Sequence, residues 1–200
     1  MYLMKFLKLN KITKDYFGLD DIARVLGITP AAARVFAHRY VNNKILIRPK
    51  RGIYILRQKW EYFSREQKFE IANLLQVPSY ISLLTALDYY QITTQMQQSF
   101  IESVAIKRTK EVEVDGSIFN YSKLNQDFYK GFIKQNNFFI ATPEKALLDA
   151  CYLMSFGRYK FDVSAIDPAK LDLNLLVSYG KIFPERTQNF MEKHGYFSTT

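Results

Sequence analysis

Cysteine is nearly absent from this chain of 200 residues, in which Cys151 stands alone. An internal disulfide and a cysteine-based zinc site are both excluded, and the usage fits a reducing cytoplasm. Histidine is almost as scarce. His38 and His194 lie far apart and neither has a carboxylate at ligand spacing, so no metal site is expected. No apolar run approaches the roughly 20 residues that a membrane span needs, so no membrane partner is expected. The opening Met1–Lys8 is apolar, but Lys5 and Lys8 interrupt it and no small-residue cleavage site follows. It reads as a first amphipathic helix rather than a targeting segment. There is no internal repeat and no low-complexity tract.

Acidic residues are what the first third lacks. Residues 1–60 carry 13 Lys and Arg against only Asp15, Asp20 and Asp21, while residues 61–200 carry 15 Lys and Arg against 16 acids. The net charge of +9 therefore belongs to the first third. A basic module joined to a neutral one is the pattern of a polyanion reader with a second task. Hydrophobic residues at 48% and aromatics at 16% suffice for a packed core, in one large domain or two small ones.

Glycine and proline are few enough for each to mark a boundary. In Leu19–Pro30, the stripe Ile22, Ala23, Val25, Leu26 predicts a helix with Asp20 and Asp21 at its positive end. Gly27 stops it, Thr29 caps the next helix, and Pro30 takes the first helical position. Two helices separated by about three residues have helix-turn-helix spacing. The second is expected over Pro30–Asn42, with Ala33, Phe36, Ala37 and Tyr40 inward and Ala31, Arg34, Val35, His38 and Asn42 outward. Beyond it the period falls from 3.6 to 2. Ile45–Arg48 and Ile53–Leu56 read as strands joined by Pro49–Gly52, a hairpin wing with Arg48, Lys50 and Arg51 near its tip.

A winged helix this basic predicts DNA binding. Arg34 fits a bidentate contact to guanine, Ala31 and Val35 fit thymine methyl groups, and Arg39 fits phosphate. Thr29, at the start of the recognition helix, and His38, on its outer face, complete the candidate set with Arg48, Lys50 and Arg51.

The remainder predicts an α+β domain. A helix is expected over Trp60–Gln76, then another over Ser79–Gln91 with Ser79 as its cap. A strand-rich run follows from Ser99 to Tyr121 with a turn at Asp115-Gly116, then a strand over Phe138–Ala141. Thr142 caps a helix through Leu153, and final helices are expected over Leu171–Tyr179 and Glu185–Lys193. The expected domains are a winged helix-turn-helix over 1–58, a helical linker over 59–78 and an α+β effector domain over 79–200.

Catalytic machinery is not evident there. Cys151 shares a face with Leu147, Ala150 and Met154 and reads as core. Gly116-Ser117 lacks the Asp-x-Asp pair that a nucleotidyltransferase needs for magnesium. Glu102, Glu111, Glu113 and Asp115 lack the lysine two residues after an acid that a restriction-type nuclease needs. There is no phosphate-binding glycine loop. No enzyme activity and no cofactor are expected. Two other readings stay open: a regulator whose aromatic-rich second domain binds a small ligand, and a metal-dependent enzyme acting on DNA.

Three blocks together resemble the AbiEi family, the antitoxins of AbiE abortive-infection systems. They are the winged helix ending in Arg51-Gly52-Ile53-Tyr54-Ile55-Leu56, the segment Pro78–Tyr90, and Ile140–Asp149, in the family's order. The resemblance implies a repressor that binds inverted repeats in its own promoter, with two copies on the DNA. It also implies a second domain that neutralises a neighbouring nucleotidyltransferase-like toxin, with or without touching it, and no catalytic residues. The block Pro143-Glu144-Lys145 then has two readings, a helix start or an antitoxicity surface.

Overall fold

The computed structural model describes residues 2–95 and 100–196, with side chains from Phe6 onward. Met1 and Ser99, the expected starts of the first helix and of the strand-rich run, lie outside the described residues. The protein mixes α and β structure, and it divides into two compact units, residues 1–68 and 69–200.

The first unit runs α1 (Tyr2–Leu9), α2 (Leu19–Leu26), α3 (Pro30–Asn42), β1 (Leu46–Lys50), β2 (Ile53–Leu56) and α4 (Arg57–Trp60). Asp21 accepts the Gly18 N–H at 3.1 Å, satisfying a donor at the start of α2. Gly27 closes α2 in the left-handed region at φ +65°, and this lets its own N–H reach Arg24 O at 3.4 Å and the Ile28 N–H reach Ala23 O at 3.0 Å. Thr29 Oγ1 then accepts the Ala32 N–H at 3.3 Å, with Pro30 opening α3. The turn is fixed by these local bonds. Packing is fixed by the inner face of α3: Ala33, Phe36, Ala37 and Tyr40 are buried against Leu9, Ile22, Leu26, Leu46 and Leu56, and the rings of Phe36 and Tyr40 stack at 3.9 Å. Burying each such large apolar side chain contributes about 1.5–3 kcal/mol.

The wing is tighter than its sequence suggests. β1 and β2 pair antiparallel as Leu46↔Leu56 and Ile47↔Ile55, then skip to Lys50↔Ile53. Arg48 and Pro49 therefore stand together against Tyr54 in a bulge, a position that tolerates a residue with no N–H. The strand continues to Lys50, so the turn narrows from the expected Pro49–Gly52 to Arg51-Gly52, with Gly52 at φ +82°. Phe17 and Tyr54 exchange two backbone bonds of 2.9 Å, adding a third short strand segment to the wing's base.

The helix expected over Trp60–Gln76 starts later, as α5 (Arg65–Leu75), and Trp60 ends α4 instead. Ser64 and Gln67 form a reciprocal capping box, with Ser64 N–H to Gln67 Oε1 at 2.8 Å and Gln67 N–H to Ser64 Oγ at 3.2 Å. The division between the two units falls within α5, between Lys68 and Phe69.

The second unit contains β3 (Ser79–Ile81), α6 (Leu83–Tyr89), β4 (Phe100–Ala105), β5 (Lys110–Val114), β6 (Ser117–Lys123), β7 (Phe132–Gln135), β8 (Phe138–Ala141), α7 (Pro143–Ser155), α8 (Leu173–Gly180) and α9 (Glu185–Lys193). Its six-stranded sheet has the order β5-β6-β4-β3-β8-β7. The pairings β3–β8 and β4–β6 are parallel and the other three antiparallel. The expected helix Ser79–Gln91 is corrected here. Its first residues form β3, a central strand buried on both faces, and Ser79 Oγ donates to Gln76 O at 2.6 Å instead of capping a helix. Two hairpins close on short turns. Asp115-Gly116 was expected; Asn136-Asn137, with Asn136 at φ +51°, joins β7 to β8 and was not. The helix expected from Leu171 begins at Leu173, because Asp172 Oδ1 accepts the Leu175 N–H at 3.0 Å.

The block at the start of α7 lies inside this unit. Thr142 Oγ1 accepts the Lys145 N–H at 3.4 Å. Glu144 is buried and accepts the Asp172 N–H at 3.1 Å. Lys145 and Asp149, one helical turn apart, form an ion pair at 2% and 0% side-chain exposure. Tyr80 Oη bridges them, accepting from Lys145 Nζ at 2.9 Å and donating to Asp149 Oδ2 at 2.8 Å, and Ser82 Oγ donates to the same oxygen at 2.8 Å. Burial pushes the Lys145 ammonium down and the Tyr80 phenol up from their ordinary values. Gly131 packs on the lysine stem so closely that a Cβ there would lie 3.1 Å from its carbons. Glu144 and Lys145 organise the interior, and Pro143 is half-buried at the start of the helix.

Candidate nucleic-acid interface

Every sequence-derived candidate in the first unit is exposed: Thr29, Ala31, Arg34, Val35, His38, Arg39, Arg48, Lys50 and Arg51. α3 carries five of them at helical spacing on the face opposite Phe36 and Tyr40. The wing carries Arg48 in its bulge, Lys50 at the strand end and Arg51 in the turn.

The structure brings five of the nine into one groove. An open cavity of about 570 Å³ between α3 and the wing is lined by Arg34, Val35, His38, Arg48 and Arg51, with Leu19, Val41, Gly52 and Tyr54 completing it. Tyr54 is buried beneath the groove, and the Arg48 guanidinium lies 5.9 Å from its ring centroid. This holds a bulged arginine over an aromatic face without neutralising it. Arg34, Arg39, Arg48 and Arg51 form no ion pair with any described acid.

The other four candidates lie outside this groove. Thr29 and Ala31 occupy the start of α3, and the threonine oxygen is engaged as the helix cap. Arg39 is five residues beyond Arg34, about 140° round the helix, so it points to the other flank of the reading face. Lys50 ends β1.

Several of the unit's other charges are engaged with one another or with the backbone. Lys14 pairs with Asp21 at 2.8 Å and Arg24 pairs with the same carboxylate. Lys59 Nζ donates to the carbonyls of Ile12, Thr13 and Lys14 at 2.8, 3.4 and 3.2 Å, closing the loop after α1. Asp15 accepts from Gln67 Nε2 at 2.9 Å. Lys14, Arg24 and Lys59 are thus engaged away from the groove, and Asp21 is shared by the first two.

Sequence reasoning passed over two contributors. Tyr54 reads as an ordinary inward strand residue, and only the bulge shows that Arg48 rests on it. Asn42 was placed on the outer face but given no task. Its Nδ2 lies 3.3 Å from His38 Nε2.

The reactive side chains singled out in the second unit's sequence are placed apart from one another among the described residues. Cys151 is fully buried, and burial pushes its thiol up to about 12, which leaves it inert. Glu102 is buried and accepts from Tyr159 Oη at 2.9 Å, while Glu111 and Glu113 are exposed on β5. Among the described residues no group of three His, Cys, Asp or Glu side chains is placed to hold a metal, and no helix is long and apolar enough to cross a membrane.

Comparison with known proteins bears on the first unit. Residues 5–57 match a family model described as a transcriptional regulator, AbiEi antitoxin. No curated protein sequence matches the chain. Among solved structures, the crystal structure of the RV2827C protein from Mycobacterium tuberculosis is similar, with a TM-score of 0.58 at 11% identity over 95% of this chain and 75% of that one. At that identity the likeness is one of fold. The family match falls on the unit that carries the groove, and there the AbiEi resemblance carried by the wing residues is borne out: residues 5–57 are similar to the AbiEi antitoxin transcriptional regulators.

Proposed function

We propose that the chain is a repressor that binds double-stranded promoter DNA, with α3 entering the major groove and the wing tracking the phosphate backbone. The observation that carries this reading is the groove itself. Recognition helix and hairpin converge on one concave face, and that face holds unpaired arginines from both elements. A duplex needs this pairing of donors, since phosphate contacts set the register and base-edge contacts give the sequence. Thr29, Ala31, Arg34, Val35, His38 and Arg39 are the α3 contacts in this reading, and Arg48, Lys50 and Arg51 the wing contacts. The DNA would carry inverted repeats in the operon's own promoter and be occupied by two copies, each reading one half-site.

The antitoxin half of the reading falls to the second unit, which would neutralise a neighbouring nucleotidyltransferase-like toxin in the cytoplasm without catalysis of its own. The family match over the first unit supports it. Gel shift and footprinting on the chain's upstream region test the first half. The expected result is a protected inverted repeat, bound without added ligand or metal. Co-expression with the product of the adjacent gene tests the second, with restored growth expected. Operator binding that requires a small molecule would sink the ligand-free repressor, and metal-dependent cutting of the probe would replace it with an enzyme.

A further inference from the structure

Val35 is 55% exposed in the middle of α3, on a face shared with Ala31, Arg34, His38, Arg39 and Asn42. Nothing in folding explains it. A β-branched side chain weakens a helix slightly, and an apolar group left in water contributes no burial. Val35 also lines the groove against the wing, where a bound duplex would cover it. It has no donor or acceptor, so the base feature it complements is apolar. The major-groove edge of unmodified DNA has one such feature, the C5-methyl of thymine.

His38, one turn from Arg34, lines the same groove. Asn42 Nδ2 lies 3.3 Å from His38 Nε2, and an amide N–H can only donate. With the amide N–H donating there, Nε2 is the acceptor and Nδ1–H is the ring's free donor. Arg34 and His38 thus form a stripe of donors, beside a second stripe of apolar groups at Ala31 and Val35.

We propose that α3 specifies a thymine by its methyl group through Val35, beside a guanine read by Arg34, with Asn42 as a positioning residue that keeps His38 a donor. This rests on the DNA-binding reading and adds to it the chemistry of the target: a methyl next to paired acceptors. RNA, which carries uracil, and uracil-substituted DNA lack that methyl.

The test uses the full chain and a duplex of about two turns selected by it from a random library. Each thymine in the selected core is replaced in turn by deoxyuridine, and each guanine by 7-deazaguanine. One thymine per half-site is expected to show about a fourfold rise in Kd on losing its methyl, the worth of one buried carbon. Val35→Ala should weaken binding to the thymine duplex by a similar factor and show no difference between thymine and uracil at that position. This substitution is on the surface, so folding is kept and circular dichroism checks it. Loss of N7 at the neighbouring guanine should cost about tenfold in wild type and little in Arg34→Ala. Nitrogen-15 imidazole spectra should show the Nδ1–H tautomer of His38 in wild type and its loss in Asn42→Ala.

A selected duplex insensitive to uracil at every position overturns the inference, as does uracil sensitivity that survives Val35→Ala. An unchanged tautomer in Asn42→Ala overturns the positioning role. If the library yields no enriched sequence while random DNA is bound in low salt, base reading fails and DNA binding stands. If no duplex is bound even in low salt, the parent reading fails and this one with it.

Discussion

Arg34 and Val35 are neighbours on α3, yet they answer different questions about a DNA target. The guanidinium acts on any duplex through charge and on one base through its paired donors. Replacing it separates the two. Arg34→Ala is expected to weaken binding to the operator by about 1–3 kcal/mol, the range of a bidentate base contact, and to weaken binding to random DNA much less. Gel shifts on both duplexes at one salt concentration give the ratio, and equal losses would reduce Arg34 to a phosphate contact. Lys145 and Asp149 show how differently charge behaves when it is buried. Their pair is sealed under Gly131 and bridged by Tyr80, so removing one partner strands the other out of water. Asp149→Asn is expected to destabilise the protein by about 3–5 kcal/mol, read as a lower urea midpoint, whereas a matched apolar replacement of both residues should cost far less. A similar cost for both changes would mean the network is held for packing alone.

Elements carry the next level. The wing places Lys50 and Arg51 at its tip, and charges in that position act on phosphates in proportion to released counterions. Lys50→Ala with Arg51→Ala should weaken binding to every duplex and flatten the plot of log K against log salt by up to about two phosphate equivalents; an unaltered slope would take the wing off the backbone. At the start of α2, Lys14 and the Gly18 N–H hold the Asp21 carboxyl below its ordinary value. A carboxyl that is more acidic when folded stabilises above its unfolded pKa, and that help is lost as pH falls through the folded value. Asp21→Asn should therefore lower the melting temperature at neutral pH and narrow the gap to wild type in strong acid.

The same elements show what a sequence reveals. α2, α3 and the hairpin were legible because Gly27, Thr29 and Pro30 punctuate them and the period changes cleanly after Asn42. The capping box Ser64–Gln67 was equally legible in principle, but a continuous run of aromatic and charged residues hid the break. β3 was not legible. Three buried residues between parallel and antiparallel neighbours carry no alternation, and Ser79 imitates a helix cap. The hairpin at Asn136 was hidden because asparagine, unlike glycine, signals a left-handed turn only weakly. In the candidate site, exposure of the five side chains on α3 followed from helix period, and that of Arg48, Lys50 and Arg51 from their place in the hairpin. The bulge that sets Arg48 on Tyr54, and the contact between Asn42 and His38, needed coordinates.

At the scale of the molecule, charge is divided as the proposed tasks are. The basic excess lies in the first unit, whose groove holds Arg34, Arg48 and Arg51, while the second unit is close to neutral. If toxin neutralisation belongs to the second unit, disabling the groove should leave it intact. The triple variant Arg34→Ala, Lys50→Ala, Arg51→Ala changes only exposed side chains, for which substitutions are usually within about 0.5 kcal/mol, so its steady-state level should match wild type. In cells that carry the operon's promoter fused to a reporter, this variant should release the reporter. In cells that express the adjacent toxin from an unrelated promoter, it should restore growth as well as wild type does. Loss of both functions at equal protein level would make the groove the antitoxic surface too, and would point to a shared nucleic-acid target. Restored growth without repression would place antitoxicity outside the groove, as the near-neutral charge of the second unit suggests.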